Sequence, residues 1–354
     1  MTKLTKEQLN SVKNTKPLGI VRIDNCTTDE LRVERFHEID AFNFDGHTIK
    51  NFYRVNADIF KYVFEEIRNN PSCSFVTPYN GVIREGVMPE TVSVLIKETH
   101  KCFEEKLGCQ LMNYYGINTP VNVAVAGGDL FGLELYEVAK NNKELQKNIR
   151  KYHKKDGLIS YVVSMDFAAE GEEFEEFPDV LDHDLGGTKK VFFWNPADAL
   201  QYVEKELKKK LKNPKLKNLT KEQIENIITK FKEDFILTML VRRIVFQDTD
   251  FNNSNVGAII KDNGLDMMNI DFEYGFNMHV GAITAGPLIE YAQANYPKVW
   301  DKFYSKSKEL FENIEQADNR TVRSTMGVPS LVDGMIQSLK FLVKNYSKIN
   351  ISNM

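Results

Sequence analysis

Two polar clusters carry the residue types that could do chemistry in this sequence: Asp248-Thr-Asp250-Phe-Asn-Asn-Ser-Asn255, and Asn269-Ile-Asp271-Phe-Glu-Tyr-Gly275. Between them lies an apolar run, the turn Lys261-Asp-Asn-Gly264 and a second apolar run. Asn-Gly is a strong hairpin signal, and a hairpin returns its far end to its start, so Asp250 and Asn255 are expected beside Asp271. Oxygen ligands around one point suit a hard cation such as Mg²⁺, which takes few protein ligands and keeps room for phosphate oxygens. A further carboxylate one short loop away can orient an attacking hydroxyl. Together these are the parts of phosphoryl transfer. An Asp/Asn-rich stretch also makes a plain turn, but a turn alone needs no second acidic motif flanked by Met-Met-Asn-Ile and Phe-Glu-Tyr-Gly-Phe. A calcium loop of the EF-hand kind is excluded. Asp248, Asp250 and Asn252 fit its first three ligand positions, but Asn253 stands where it needs Gly and Ile259 where it needs Glu.

The elements that must position these clusters follow from periodicity. The spacing predicts a helix over 221–246, a polar loop over 247–255, strands over 256–260 and 265–270, and an acidic loop opening at Asp271. Helices are also predicted over 203–213, 286–316 and 330–347. The first half reads differently, with strand-like runs at 18–24, 30–36, 74–90, 91–98, 117–128 and 158–167. Helices are expected there over 56–70 and over 99–115, the latter stopped by Gly116. Strands first and helices later predict an α+β chain, with a mixed N-terminal lobe over 1–165 and a helical C-terminal lobe over 166–354. The acidic stretch at 166–180 is expected to be a solvated surface loop.

The loop Asp250-Phe-Asn-Asn-Ser-Asn255, the hairpin and Asn269-Ile-Asp271-Phe-Glu-Tyr-Gly275 resemble the atypical branch of the protein-kinase-like superfamily. Nearest in pattern are HipA-like and CtkA-like bacterial serine/threonine kinases and the phosphatidylinositol kinases. The resemblance implies a bilobal protein-kinase-like fold, ATP as phosphate donor, Asp250 as catalytic base, and Mg²⁺ held by Asn255 and Asp271. These families typically write the loop Asp-Arg-His-x-x-Asn. Phe251 and Asn252 replace Arg-His here, so the loop has no cation of its own, and Asp248 is a second carboxylate that rivals Asp250 as base.

The same resemblance implies a nucleotide-binding N-lobe. Lys97, ending the strand-like Thr91-Val-Ser-Val-Leu-Ile-Lys-Glu98, becomes the phosphate lysine, with Lys50 as the rival. Glu105 on the next helix becomes its partner; it borders a partly apolar face, three or four residues from Gly108 and Cys109. Gly81 and Gly86 would belong to a phosphate-covering loop. Ser164 and Met165 would lead to a hinge whose backbone meets adenine. The implied activity is phosphorylation of a hydroxyl, most readily Ser/Thr on a protein. A lipid or small-molecule kinase and a catalytically inactive nucleotide-binding scaffold are the alternatives.

Composition agrees with a folded protein: 354 residues, 42% hydrophobic and 27% charged. Forty-six basic against fifty acidic side chains give a net charge of −4, so overall charge does not recruit nucleic acid. The lysine run 205–217 alternates with leucines and reads as the wet face of a helix. No signal peptide or bilayer-length apolar run is visible. Cys26, Cys73, Cys102 and Cys109 form no CxxC pair, which points to a reducing, cytoplasmic setting.

Overall fold

The computed structural model describes residues 42–44, 50–56, 91–98, 101–120, 122–125, 161–165, 167–168, 171–178, 181–182, 188–189, 195–276, 285–316 and 329–346. The expected segments 18–24, 30–36 and 74–90, with Gly81 and Gly86, lie outside them, as does the expected helix 56–70 except for Asn56, which ends a strand. The described chain is α+β, and it divides into two compact units. One comprises 1–110 and 120–171, the other 111–119 and 172–354.

The first unit contains a five-stranded antiparallel sheet. Its strands are β1 (Phe42–Phe44), β2 (Lys50–Asn56), β3 (Thr91–Glu98), β4 (Asn122–Val125) and β5 (Tyr161–Met165), in the order β1-β2-β3-β5-β4. β3 is the expected strand 91–98, and its β-branched and aliphatic residues suit an interior position. Helix α1 (Cys102–Tyr115) follows β3. It closes in a Schellman motif: Gly116 N–H donates to Asn113 O and Ile117 N–H to Met112 O, with Gly116 at φ 79°. Glycine tolerates that left-handed conformation, so the predicted helix stop has a mechanism.

The second unit holds β6 (Glu173–Glu176), the two-residue pair β7 (Leu181–Asp182) and β8 (Thr188–Lys189), then α2 (Pro196–Lys210) and α3 (Lys221–Leu240). β9 (Val256–Lys261), β10 (Gly264–Asn269), α4 (Gly286–Asn295), α5 (Pro297–Gln316) and α6 (Pro329–Tyr346) complete it. α2 starts earlier than its periodicity suggested, because Asn195 caps it through Ala197 N–H and Pro196 opens it. α3 opens on a capping box, Thr220 with Gln223. The span 286–316 is two helices, broken at Tyr296 ahead of Pro297. β9 lies between β10 and β6, all antiparallel. Its residues Val256–Ile260 are buried, as a central strand covered on both faces requires.

The tail of α1 belongs with this second unit because its aromatic side chains are spent there. Tyr115 is buried, stacks on Phe303 at 5.6 Å and shares a 2.8 Å hydrogen bond with Ser307. Tyr114 donates to Lys306 O. Next in the chain, Asn118 reaches β10 through both side chain and backbone, its Nδ2 donating to Met267 O and its carbonyl accepting from Asn269 N–H.

The acidic stretch 166–180 is not all loop. Part of it is β6, with Phe174 beside β9 so closely that a Cβ on Gly257 would lie 2.3 Å from its ring. The intervening acids reach the lysine run: Glu175 pairs with Lys210 and Glu173 with Lys215, both at 2.9 Å. Each oppositely charged segment is thus the other's partner. Among the described residues, no helix is long and apolar enough to cross a membrane.

Candidate functional site

The helix leading into the Asp248–Asn255 loop changes character before it ends. The apolar period runs to Phe246, but α3 stops at Leu240 and Val241–Phe246 is π-helical. π-turns are rare and concentrate at functional positions. The turn closes on Arg242, whose carbonyl accepts N–H groups from both Gln247 and Asp248. Helix α6 supplies two outside bonds: Ser338 Oγ donates to Ile244 O, and Gln247 Nε2 donates to Gly334 O.

Arg242 is fully buried and brings a cation to the loop from the π-turn. Its Nη1 meets the Asp248 carboxylate at 2.6 Å and donates to Asp271 O at 3.0 Å, while Nη2 donates to Ile270 O at 2.6 Å. The guanidinium stacks against Phe251 (4.6 Å) and Phe272 (4.0 Å). Of the two residues that differ from the loop this one resembles, Phe251 is therefore a core residue facing the cation. Asn252, the other, ties the loop together. Its Nδ2 donates to Asp250 O, its Oδ1 accepts from Ser254 N–H and Oγ, and its N–H donates to Asn255 Oδ1 at 2.7 Å.

Asp248 faces Arg242, and its second oxygen accepts Asp250 N–H at 2.9 Å. Burial pushes its carboxyl up from the ordinary value, against the pull of Arg242 and the Asp250 N–H. A buried carboxylate engaged on both oxygens is a poor candidate for receiving a proton from an incoming hydroxyl, whereas Asp250 is half-buried.

The hairpin forms with Lys261 opposite Gly264 and Val256 opposite Asn269. Neither Asp262 nor Asn263 has a positive φ, so the turn is not the mirror-image type that Asn-Gly favours. The strand pair brings the two clusters together. Ile270 N–H donates to Asn255 O at 3.0 Å, and Thr249 donates to Tyr274 O through both its N–H and its hydroxyl. Three non-glycine residues in the described chain have positive φ, and all belong to this region: Gln247 (55°), Asp271 (61°) and Phe276 (59°). Such conformations persist where surrounding structure over-determines them, typically at functional sites. Here Phe246 supplies part of that constraint, packing edge-on against Phe272 and Phe276. It also lies so close to Gly275 that a Cβ there would be 2.1 Å from its ring.

The other expected residues fall in the first unit. Lys97 stands on β3, opposite its rival Lys50 on β2 and opposite Val162 on β5. Glu105 is buried in the first turn of α1, and Glu104 is half-buried. Ser164 is buried, with Leu95 and Asn122 as register partners on its two sides, and Met165 ends the strand opposite Val94. Cys109 is a buried free thiol. Arg242 was not among the sequence candidates. Its signal was the arginine pair Arg242-Arg243 inside the otherwise apolar run Leu-Val-Arg-Arg-Ile-Val-Phe.

No family model matches the chain, and no curated protein matches its sequence.

Proposed function

We propose that this chain is an ATP-dependent phosphotransferase acting on a hydroxyl, in particular a serine/threonine protein kinase of the HipA-like kind. The observation that carries this reading is the junction of the two clusters: the Ile270 N–H to Asn255 O bond joins the Asp250 loop to the strained residue Asp271. Because Asp248 is committed to Arg242, the role of base falls to Asp250, which would accept the hydroxyl proton as the acceptor attacks the γ-phosphate.

The donors around the junction are oxygens, as Mg²⁺ requires. Asn255 Oδ1 spends one of its two lone pairs on Asn252 N–H, and Asp271 adds a carboxylate. Among the described residues no three His, Cys, Asp or Glu side chains gather to hold a metal, so phosphate oxygens and water would have to complete the coordination. Asn255 and Asp271 would hold the ion, and bound there it would neutralise charge on the phosphates.

In this reading Lys97 holds the α/β-phosphates, with the buried Glu105 of the following helix as its partner. Gly81 and Gly86 cover the phosphates, and the backbone leaving Ser164 and Met165 meets adenine. The test is a melting curve with and without Mg²⁺-ATP, together with turnover on a panel of protein, lipid and small-molecule hydroxyls. Stabilisation of about 2.7 kcal/mol is expected at ligand about 100 times Kd. An unmoved curve with no calorimetric binding defeats the reading. Binding without turnover on any acceptor would make the chain a nucleotide-binding scaffold.

A further inference from the structure

We propose that Arg242 is the positioning residue of this site, setting the distance between the Asp250 loop and Asp271 in the orientation that transfer needs; the inference rests on the phosphotransfer reading above. One side chain reaches both halves. A single hydrogen bond joins it to the carbonyl of Asp271, and two in series, through the Asp248 carboxylate, join it to the backbone N–H of Asp250. A third acceptor, Ile270 O, comes from the residue whose N–H fixes Asn255. All three acceptors meet one planar group, a fit that guanidinium geometry allows and an ammonium does not.

The competing explanation is that the pair only stabilises the fold. Buried ion pairs are poor at that, because desolvation cancels most of the attraction and apolar residues of similar volume commonly do as well. This one also leaves Arg242 Nε buried without a hydrogen-bond partner. What an apolar pair cannot do is hold two carbonyls and a carboxylate at fixed separation while Asp271 stays at φ 61°. The π-turn serves the same end, placing Arg242 so that its carbonyl grips Gln247 and Asp248 while its side chain grips the far loop.

The experiment uses the full chain, with Mg²⁺-ATP hydrolysis as the probe and each preparation titrated by calorimetric ATP binding, so that rates are per folded site. Wild type comes first: absence of binding and hydrolysis sinks the phosphotransfer reading itself. Given an active wild type, the double variant Arg242→Met/Asp248→Leu removes both charges together and is expected to melt near the wild-type temperature. It should keep KM for Mg²⁺-ATP within about threefold and lose kcat by about a hundredfold, the cost of displacing reacting groups by about an ångström. Arg242→Lys, which keeps a cation beside Asp248, is expected to show the same split and decides the matter should the double variant not fold. Retention of kcat within about threefold in whichever variant folds overturns the positioning role and leaves the phosphotransfer reading standing.

Discussion

Along β6 and α2, acids and lysines meet at the surface. Lys210 pairs with Glu175 and Lys215 with Glu173, and Lys208 and Lys232 share Glu204. Between the π-turn and the Asp271 loop, one arginine and one aspartate meet at 2.6 Å with side-chain exposures of 0% and 2%. The pairs have the same chemistry but not the same consequences. An exposed pair exchanges hydration for attraction and breaks even within about 1 kcal/mol. A buried pair has no water to fall back on, so losing one partner strands the other. The surface network is therefore adjustable one residue at a time, while the Arg242 centre changes only in matched steps.

The contrast breaks most visibly at Arg242. Arg242→Met alone, leaving Asp248 buried and unpaired, is expected to cost about 3–5 kcal/mol in a urea titration, and adding Asp248→Leu should recover most of it. If the single and double variants are equally stable, the buried pair is no more demanding than the surface ones. Next in size come the two carboxylates assigned to chemistry. Asp250→Asn should lower turnover by about 10²–10⁴-fold with Mg²⁺-ATP binding close to wild type, whereas Asp271→Asn should weaken Mg²⁺-dependent binding as well. Calorimetry of both variants with and without Mg²⁺ separates them.

Gly275→Ala places a methyl against the Phe246 ring and should destabilise by about 1–3 kcal/mol, as overpacking does. A melting temperature equal to wild type would mean that the Asp271–Phe276 loop is loosely held. The smallest effect belongs to the surface. Burial pushes the Asp266 carboxyl up, but the hydrogen bonds and charges of Lys230 and Lys261 together outweigh it and leave it below its ordinary value. A depressed carboxylate stabilises the fold above the unfolded-state pKa, near 3.9, and loses that contribution as pH falls through the lower folded-state value. Asp266→Asn should therefore cost no more than about 1 kcal/mol at pH 7, and the difference from wild type should vanish near pH 2. A gap that widens on acidification would reverse the sign.

Much of this architecture was legible from local pattern. β3 carries its own β-branched signature, Gly116 announces the end of α1, and Asn-Gly marks the hairpin that joins the two clusters. Other features depend on what lies across the chain. The π-turn is silent because the helical pattern runs on to Phe246 with no glycine or proline to break it, and periodicity does not report which carbonyl each N–H finds. Glu173 and Glu175 read as solvated because their lysine partners lie about forty positions downstream. Asn195-Pro196 and Tyr296-Pro297 were readable punctuation, and the helical period outweighed both. Asp248 stood in the sequence as a rival to Asp250, and its pairing with Arg242 was not legible, since nothing in the spacing says which aspartate faces an arginine.

The π-turn also sets which kinds of heritable change this sequence can absorb. A π-turn spans one residue more than an α-turn. Deleting one residue between Val241 and Phe246 would let the α-helix run on, yet each helical residue rotates the chain by about 100°. Gln247 and all that follows would then leave the frame in which Asp248 meets Arg242. Descendants of this chain can keep the fold when the letters at 242 and 248 change as a pair, at the expense of turnover, but the count of residues between Arg242 and Asp250 should stay fixed.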